Sequence, residues 1–386
     1  MANYLQPGVY VNETPVVVKS VTAAATTRVA FIGSADSGPL AKPVLIASFA
    51  DYQQQFQDPE QDAATIPDPM TQAVMAFFGN GGKSAYICRV TDNNYQAFYQ
   101  DVLCNYRDFS LIVLPGQYWG NTTSKAAIMA TLTFCQQVRH CMVLLDMAPG
   151  QQLHSKASVN ATKLPTSSYA AVYYPWLMMA NPLHHATTNP AAPKTLLIAP
   201  SAVAAAVFVK TDNKYGVWKA PAGVSAKIAG VSGLEFNVDD DSQQQLNPLG
   251  INCIRTLPRL GTVVWGARTL ASQTDPEWRY ISVRRTAIFL EQSIIQSLQW
   301  AVFEPNDRPL WQTVRLNISN FLVTLFRAGA MQGTTQKEAF FVRCGLHETM
   351  NQQDLDQQQL VIELGFAPVK PAEFVVLRII YKLNPP

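Results

Sequence analysis

The sequence predicts an α/β chain of mixed α+β type, with a core built from its N- and C-terminal parts, a smaller inserted outer domain, and extended β arms at both ends. Three observations predict it. Short apolar runs of strand length alternate with helically spaced segments over residues 23–90, and the alternation returns from about residue 193. At the N-terminus Pro7 and Pro15 bar a helix in a stretch rich in β-branched residues, and the last strand is largely apolar on both faces. The division this implies is an arm at 1–22, a core at 23–90 and 193–365, an outer domain at 91–192, and a C-terminal strand or arm at 366–386. At 386 residues the chain is long enough for two or three domains and a sizeable core.

In chain order, the first arm contains Pro7, Gly8, Val9, Tyr10, Val11, Val16, Val17 and Val18, an extended pattern that needs something to lie against. Val29 to Ile32 read as a buried strand running into a turn at Gly33, Gly38 and Pro39. "KPVLIASFADYQQQFQ" reads as a short strand leading into a helix capped by Ser48. "DPMTQAVMAFF" sets Met70, Val74, Phe77 and Phe78 at helical spacing, and "SAYICRV" follows as a strand.

Between those two lies "GNGGKS", residues 79–84, which ends as a phosphate-binding loop ends. Such a loop opens with a glycine five residues before the Gly of Gly-Lys-Ser and runs from strand to helix. Here that position is Phe77, and the order is helix to strand. Gly79 to Gly82 are therefore assigned to ending a helix through positive-φ residues. A nucleotide-binding or enzymatic α/β protein using this turn is the alternative reading.

From 91 to 192 the texture shifts toward Tyr, Asn, Thr and Pro, with "LIVLPG" and "MVLLDMAP" as buried strands around the helix "SKAAIMATLTFCQQV". "KTLLIAPSAVAAAVFVK" predicts a strand and a small-residue helix, followed by a loop with Trp218 and Pro221. "IAGVSGLEFNV", "INCIRTLP" and "GTVVWGARTL" are strands. Two long helices follow, "VRRTAIFLEQSIIQSLQWAVF" and "PLWQTVRLNISNFLVTLFRAG", parted by "EPNDR" with Asp307 or Asn306 as cap. Three strands close the chain. In the last, Phe374, Val376, Arg378 and Ile380 alternate with Val375, Leu377, Ile379 and Tyr381, so both faces are largely apolar and call for cover.

Charged residues make up 15% of the chain, against about 25% in an average domain. The net charge of +2 predicts no nucleic-acid partner and no attraction to a membrane surface. No run is long enough to span a bilayer, and the N-terminus lacks a signal-peptide pattern, so membrane insertion is not expected and folding in a cytoplasm is. Cys88, Cys104, Cys135, Cys141, Cys253 and Cys344 stand singly and read as buried free thiols. His184 and His185 lie among turn formers without acidic or Cys partners, and Asp239 to Asp241 are consecutive where a calcium loop needs alternation. No nucleophile elbow is present. No catalytic, cofactor or metal site is expected. Trp176, Trp218, Trp265, Trp300 and Trp311 fall in apolar runs and read as core. Arg284, Arg285, Arg315 and Arg327 on the long helices read either as surface solubility residues or as facing an acidic partner.

With these residues set out, "PGVYVNE", "AFIGSADSGP", "NGGKSAYICRV", "YYPW", "GVWKAPAG" and "NPLGINCIRTLPRLGTVVWGARTL" resemble, in this order, the contractile tail sheath proteins. "WRYISVRRTAIFLEQSIIQSLQWAVFEPNDRPLW" and "LVIELGFAPVKPAEFVVLRI" are the most specific matches. The resemblance covers residues 4–90 and about 195–383, and is looser over 91–192. It implies an outer-sheath subunit of a phage tail, an R-type bacteriocin or an extracellular injection particle, in which hexameric rings stack helically around an inner tube and contract. The implied partners are further copies of the chain, the inner tube protein, baseplate and terminator or cap proteins, and sheath paralogues. Hydrolysis at the subunit is not part of that mechanism. In this setting Pro7 to Val18 and Phe374, Val376, Arg378 and Ile380 become segments for strand addition to a neighbour. Arg308, Arg315 and Arg327 become candidates for facing the tube.

Overall fold

The computed structural model describes residues 20–57, 66–91, 94–271, 273–369 and 375–382. The arm residues Pro7 to Val18, and Phe374 in the last strand, lie outside them.

The first half of the chain alternates strand and helix: β1 (Val29–Gly33), β2 (Val44–Ile46), α1 (Phe49–Phe56), α2 (Pro69–Gly79), β3 (Ala85–Arg89), α3 (Tyr95–Asp101), β4 (Leu111–Val113), α4 (Thr122–Val138), β5 (Met142–Asp146), α5 (Lys156–Thr162) and β6 (Ala170–Tyr174). Next come β7 (Leu177–Ala180), β8 (Thr195–Ile198), α6 (Pro200–Tyr215), β9 (Val231–Leu234), α7 (Asp240–Leu246), β10 (Ile251–Leu257) and β11 (Gly261–Val264). The two long helices are α8 (Ile281–Ser297) and α9 (Arg308–Arg327). They lead to α10 (Gln336–Ala339), β12 (Phe340–Arg343), α11 (Gln352–Asp356), β13 (Gln359–Phe366) and β14 (Val375–Lys382).

Eight strands form one sheet in the order β11-β10-β6-β5-β4-β1-β3-β2. The six central strands run parallel, and β2 and β11 are antiparallel edges. Every residue of β1, β4, β5 and β6 is buried, which explains why these strands read as continuous apolar runs rather than alternating ones. Helix α6 lies over β4, β5 and β6 and packs on α2, while α3 and α4 pair beside β5.

This topology corrects one expectation. Residues 91–192 do not form a self-contained inserted outer domain, because β4, β5 and β6 from this stretch are central strands between β1 and β10. Its Tyr- and Pro-rich loops suggested a change of domain, yet they are only the connections at the ends of buried strands.

The helix ends follow their local chemistry. Ser48 Oγ accepts from Asp51 N–H (3.1 Å) and Asp68 caps α2 through Met70 N–H (2.8 Å). After α2, Gly82 N–H reaches Phe77 O and Gly81 N–H reaches Phe78 O, both at 3.0 Å, the crossed pair of a Schellman ending. Gly81 has φ +95°, and a Cβ on Gly82 would meet the Phe77 ring at 2.2 Å. Within the run Gly81 supplies the left-handed turn and Gly82 the clearance, so the "GNGGKS" stretch closes a helix and offers no phosphate cradle.

A second core belongs to the C-terminal part. There β12, β13 and β14 form an antiparallel sheet, and α9 packs on β12. Leu310, Val314, Ile318, Leu322 and Leu325 of α9 are buried at spacings of three and four, one helical stripe. Helix α8 stands between the cores: Ile281 and Ile288 pack into the first, and Val283, Ala287, Leu290 and Ile294 into the second.

Candidate assembly surfaces

The chain enters the fold along α8. Thr22 N–H donates to Ser297 Oγ and Ala24 N–H to Ser293 Oγ, both at 2.9 Å. Two extended residues advance about 6.6 Å and four helical residues about 6 Å, so serines one turn apart match alternate amides of an extended strand. The segment runs antiparallel to the helix and continues to Thr26, whose carbonyl accepts from Ser110 Oγ and from an Arg285 guanidinium N–H at 3.1 Å.

Arg285 is the deeper anchor. It makes two parallel bonds to Asp212 of α6, at 2.7 and 2.6 Å, with side-chain exposures of 3% and 1%, and lies over the Phe208 ring. Its neighbour Arg284 sits 3.4 Å from the Trp278 ring centroid and 4.6 Å from that of Tyr169, and donates to Ser168 Oγ at 2.7 Å. Burial lowers its pKa to about 10. Neither arginine is therefore the surface residue that the sequence left open: the acidic partner of Arg285 is inside its own subunit.

Beneath the entering segment is a cavity of about 20 Å³, space for one water, lined by Thr26, Ser110, His140, Arg285 and Gln292 among others. Oε1 of Gln292 is buried there without a hydrogen-bond partner among the described residues, and the His140 ring is buried beside it. Burial, reinforced by Arg107, lowers the His140 pKa to about 4.

The last strand offers an edge. β14 pairs with β13 over its whole length, Gln359 opposite Lys382 through Phe366 opposite Val375, and its far side pairs with nothing among the described residues. Ile379 points inward (5% exposed) while Arg378 and Ile380 face out, Ile380 at 55%. The alternation of Arg378 and Ile380 against Ile379 is the one anticipated from sequence, and it leaves an apolar side chain in water beside an open strand edge.

The three arginines of α9 separate. At about 100° per residue, Arg327 falls near the middle of the exposed stripe and Arg308 at its margin. Both are exposed. Arg315 bonds Glu348, in the turn after β12, at 3.2 Å. Leu316 on the same stripe is 61% exposed, and Phe303 just before the helix is 85% exposed, an aromatic that sequence reading had counted with its apolar run.

Other sequence candidates resolve more simply. Trp176, Trp218, Trp265, Trp300 and Trp311 are half-buried rather than core, whereas Trp119 is buried. His184 Nδ1 lies 2.8 Å from Ala192 O, and among the described residues no group of His, Cys, Asp or Glu is arranged to hold a metal. Five of the six cysteines are buried and Cys104 is half-buried. No helix among the described residues is long and apolar enough to cross a membrane.

The chain was compared with known proteins. Residues 89–270 match the central domain of phage tail sheath proteins, and residues 273–382 match the phage tail sheath C-terminal domain. A putative prophage major tail sheath protein of Pseudomonas aeruginosa strain UCBPP-PA14 is 30% identical over 258 residues, which span 66% of this chain and 54% of that protein. Among solved structures, the anti-feeding prophage helical sheath in its contracted state is 33% identical, with a TM-score of 0.76, covering 98% of this chain and 99% of that one. The sheath complex of the PVC extracellular contractile injection system, also contracted, is 30% identical with a TM-score of 0.76, covering 98% of both chains. With two sheath-domain models tiling its body and end-to-end likeness to two sheath subunits, this chain belongs to the phage tail sheath family.

Proposed function

We propose that the protein is the structural subunit of a contractile sheath. It polymerises as stacked hexameric rings around an inner tube and contracts to drive the tube through a target envelope. The observation that supports this most is the end-to-end similarity, at 30–33% identity, to subunits of two contracted sheaths. The subunit acts mechanically and without hydrolysis of its own.

The described residues suit that role. The entering segment is tied to α8, and β14 lies on the same helix, so both terminal segments depart from one wall of the fold. In the assembly, Pro7 to Val18 of one copy and the β14 edge of another complete a shared sheet by main-chain hydrogen bonds, each contributing about 1 kcal/mol. Bodies joined in this way rotate without losing their neighbours, which a rigid-body switch between two lattices requires. A contact of this kind is head-to-tail and does not close, so it generates a helix. Residues 91–192 contribute outward loops. The exposed stripe of α9, with Arg308 and Arg327, faces acidic groups on the tube, while Arg315 serves its own subunit through Glu348. Baseplate and cap proteins bound the polymer, which is assembled in the cytoplasm and released in a virion or an extracellular particle.

The test is co-expression with an inner tube protein. Sheathed tubes are expected in pull-downs from the wild type, and tubes stripped of sheath from Arg308→Glu/Arg327→Glu. Equal recovery from both would remove these arginines from the tube contact.

A further inference from the structure

Lys210, Lys214, Lys219 and Lys227 line one open groove of about 760 Å³ between the second half of α6 and the loop after it. All four are exposed, Tyr215 and Val224 complete the wall, and no acidic residue lines it. The "GNGGKS" turn borders this face: a Cβ on Gly81 would meet Lys210 Cδ at 2.9 Å, and Asn80 Oδ1 accepts from Ala229 N–H at 2.8 Å. Every ion pair among the described residues uses an arginine, so none of these four lysines has an ion-pair partner among them. Lys210 Nζ is held across the groove by Lys227 O at 3.2 Å, and Lys214 lies 5.0 Å from the Tyr215 ring centroid. Like charges gathered within a Debye length of about 8 Å repel, and an arriving anionic segment relieves that repulsion.

We propose that this groove docks the carboxylate run Asp239–Asp241 of a second copy of the chain. The three aspartates are exposed at the start of α7; Asp239 caps that helix by accepting from Ser242 N–H at 2.8 Å, and among the described residues Asp240 alone of the three has an ion-pair partner, Arg255 at 2.8 Å with the aspartate side chain 85% exposed. One surface carries lysines without ion pairs among the described residues and the other an exposed acidic run with a single ion pair, on a chain whose relatives form helical polymers. A groove on one copy meeting a run on the next is the heterologous contact that propagates. The inference rests on the polymerisation proposed above and adds a named electrostatic contact to it.

The test is zero-length carbodiimide coupling of sheaths formed beside the tube protein from a mixture of ¹⁴N- and ¹⁵N-labelled full-length chains. Mixed-isotope links between groove lysines and Asp239 to Asp241 are expected. Lys214→Glu/Lys219→Glu is expected to raise the concentration needed for assembly about tenfold, with the melting temperature of the free subunit unchanged. Adding Asp239→Lys/Asp241→Lys to that variant is expected to restore assembly. Links confined to one isotope, absent links in assembled sheaths, or a glutamate variant that assembles like its parent would overturn the contact. A parent chain that stays monomeric beside its tube protein sinks both proposals, whereas an assembling parent with unlinked lysines sinks the groove alone.

Discussion

Arg285 joins three segments that are far apart in the chain: α8, α6 through Asp212, and the entering strand through Thr26 O. Removing one member of a buried pair strands the other charge, so Arg285→Ala is expected to cost about 3–5 kcal/mol in denaturant unfolding. Replacing both partners together, Arg285→Met with Asp212→Leu, is expected to recover most of that loss. Two other buried groups give opposite pH signatures. Burial raises the pKa of Asp146 to about 7 against the lowering effect of its Ser201 bonds, so between about pH 4 and 7 the folded state holds a proton that the unfolded chain has released. Stability from this group therefore falls as pH rises through that window, and Asp146→Asn is expected to abolish the fall. His140 is held neutral down to about pH 4, so below about pH 6.5 the unfolded chain takes up a proton first and stability falls as pH drops. His140→Phe is expected to flatten that limb, read as the difference from wild type in melting temperature. None of these roles was legible in sequence, because each depends on a partner more than 50 residues away or on burial that composition does not report.

At the scale of elements, the long helices, their Asp307 cap, the Ser48 cap and the closing strands were readable, since each rests on local periodicity or a capping side chain within four residues. The serine rungs of α8 were not, because Ser293 and Ser297 look like ordinary polar interruptions of an apolar helix until a strand lies on them. Replacing both with alanine leaves the Thr22 and Ala24 amides without their acceptors. It is expected to speed amide exchange at residues 22–24 while changing global stability by only about 1–2 kcal/mol. Unchanged exchange there would mean that the entering segment is held by something else.

For the whole molecule, the α/β class was legible from alternating buried runs, but the place of residues 91–192 was not. Parallel strands pair by crossover, and nothing local in "LIVLPG" or "MVLLDMAP" says that β4 and β5 sit between β1 and β6. Sheath assembly rests most on the arm at residues 1–18, which lies outside the described residues and reads as an extended segment from its prolines and valines. The most direct measurement is negative-stain electron microscopy of the purified full-length chain beside a version lacking residues 1–18, each with the co-expressed tube protein. Long sheathed tubes from the full-length chain, lost on truncation while the truncated subunit keeps its melting temperature, are the expected result. Sheaths of equal length from both chains would contradict it.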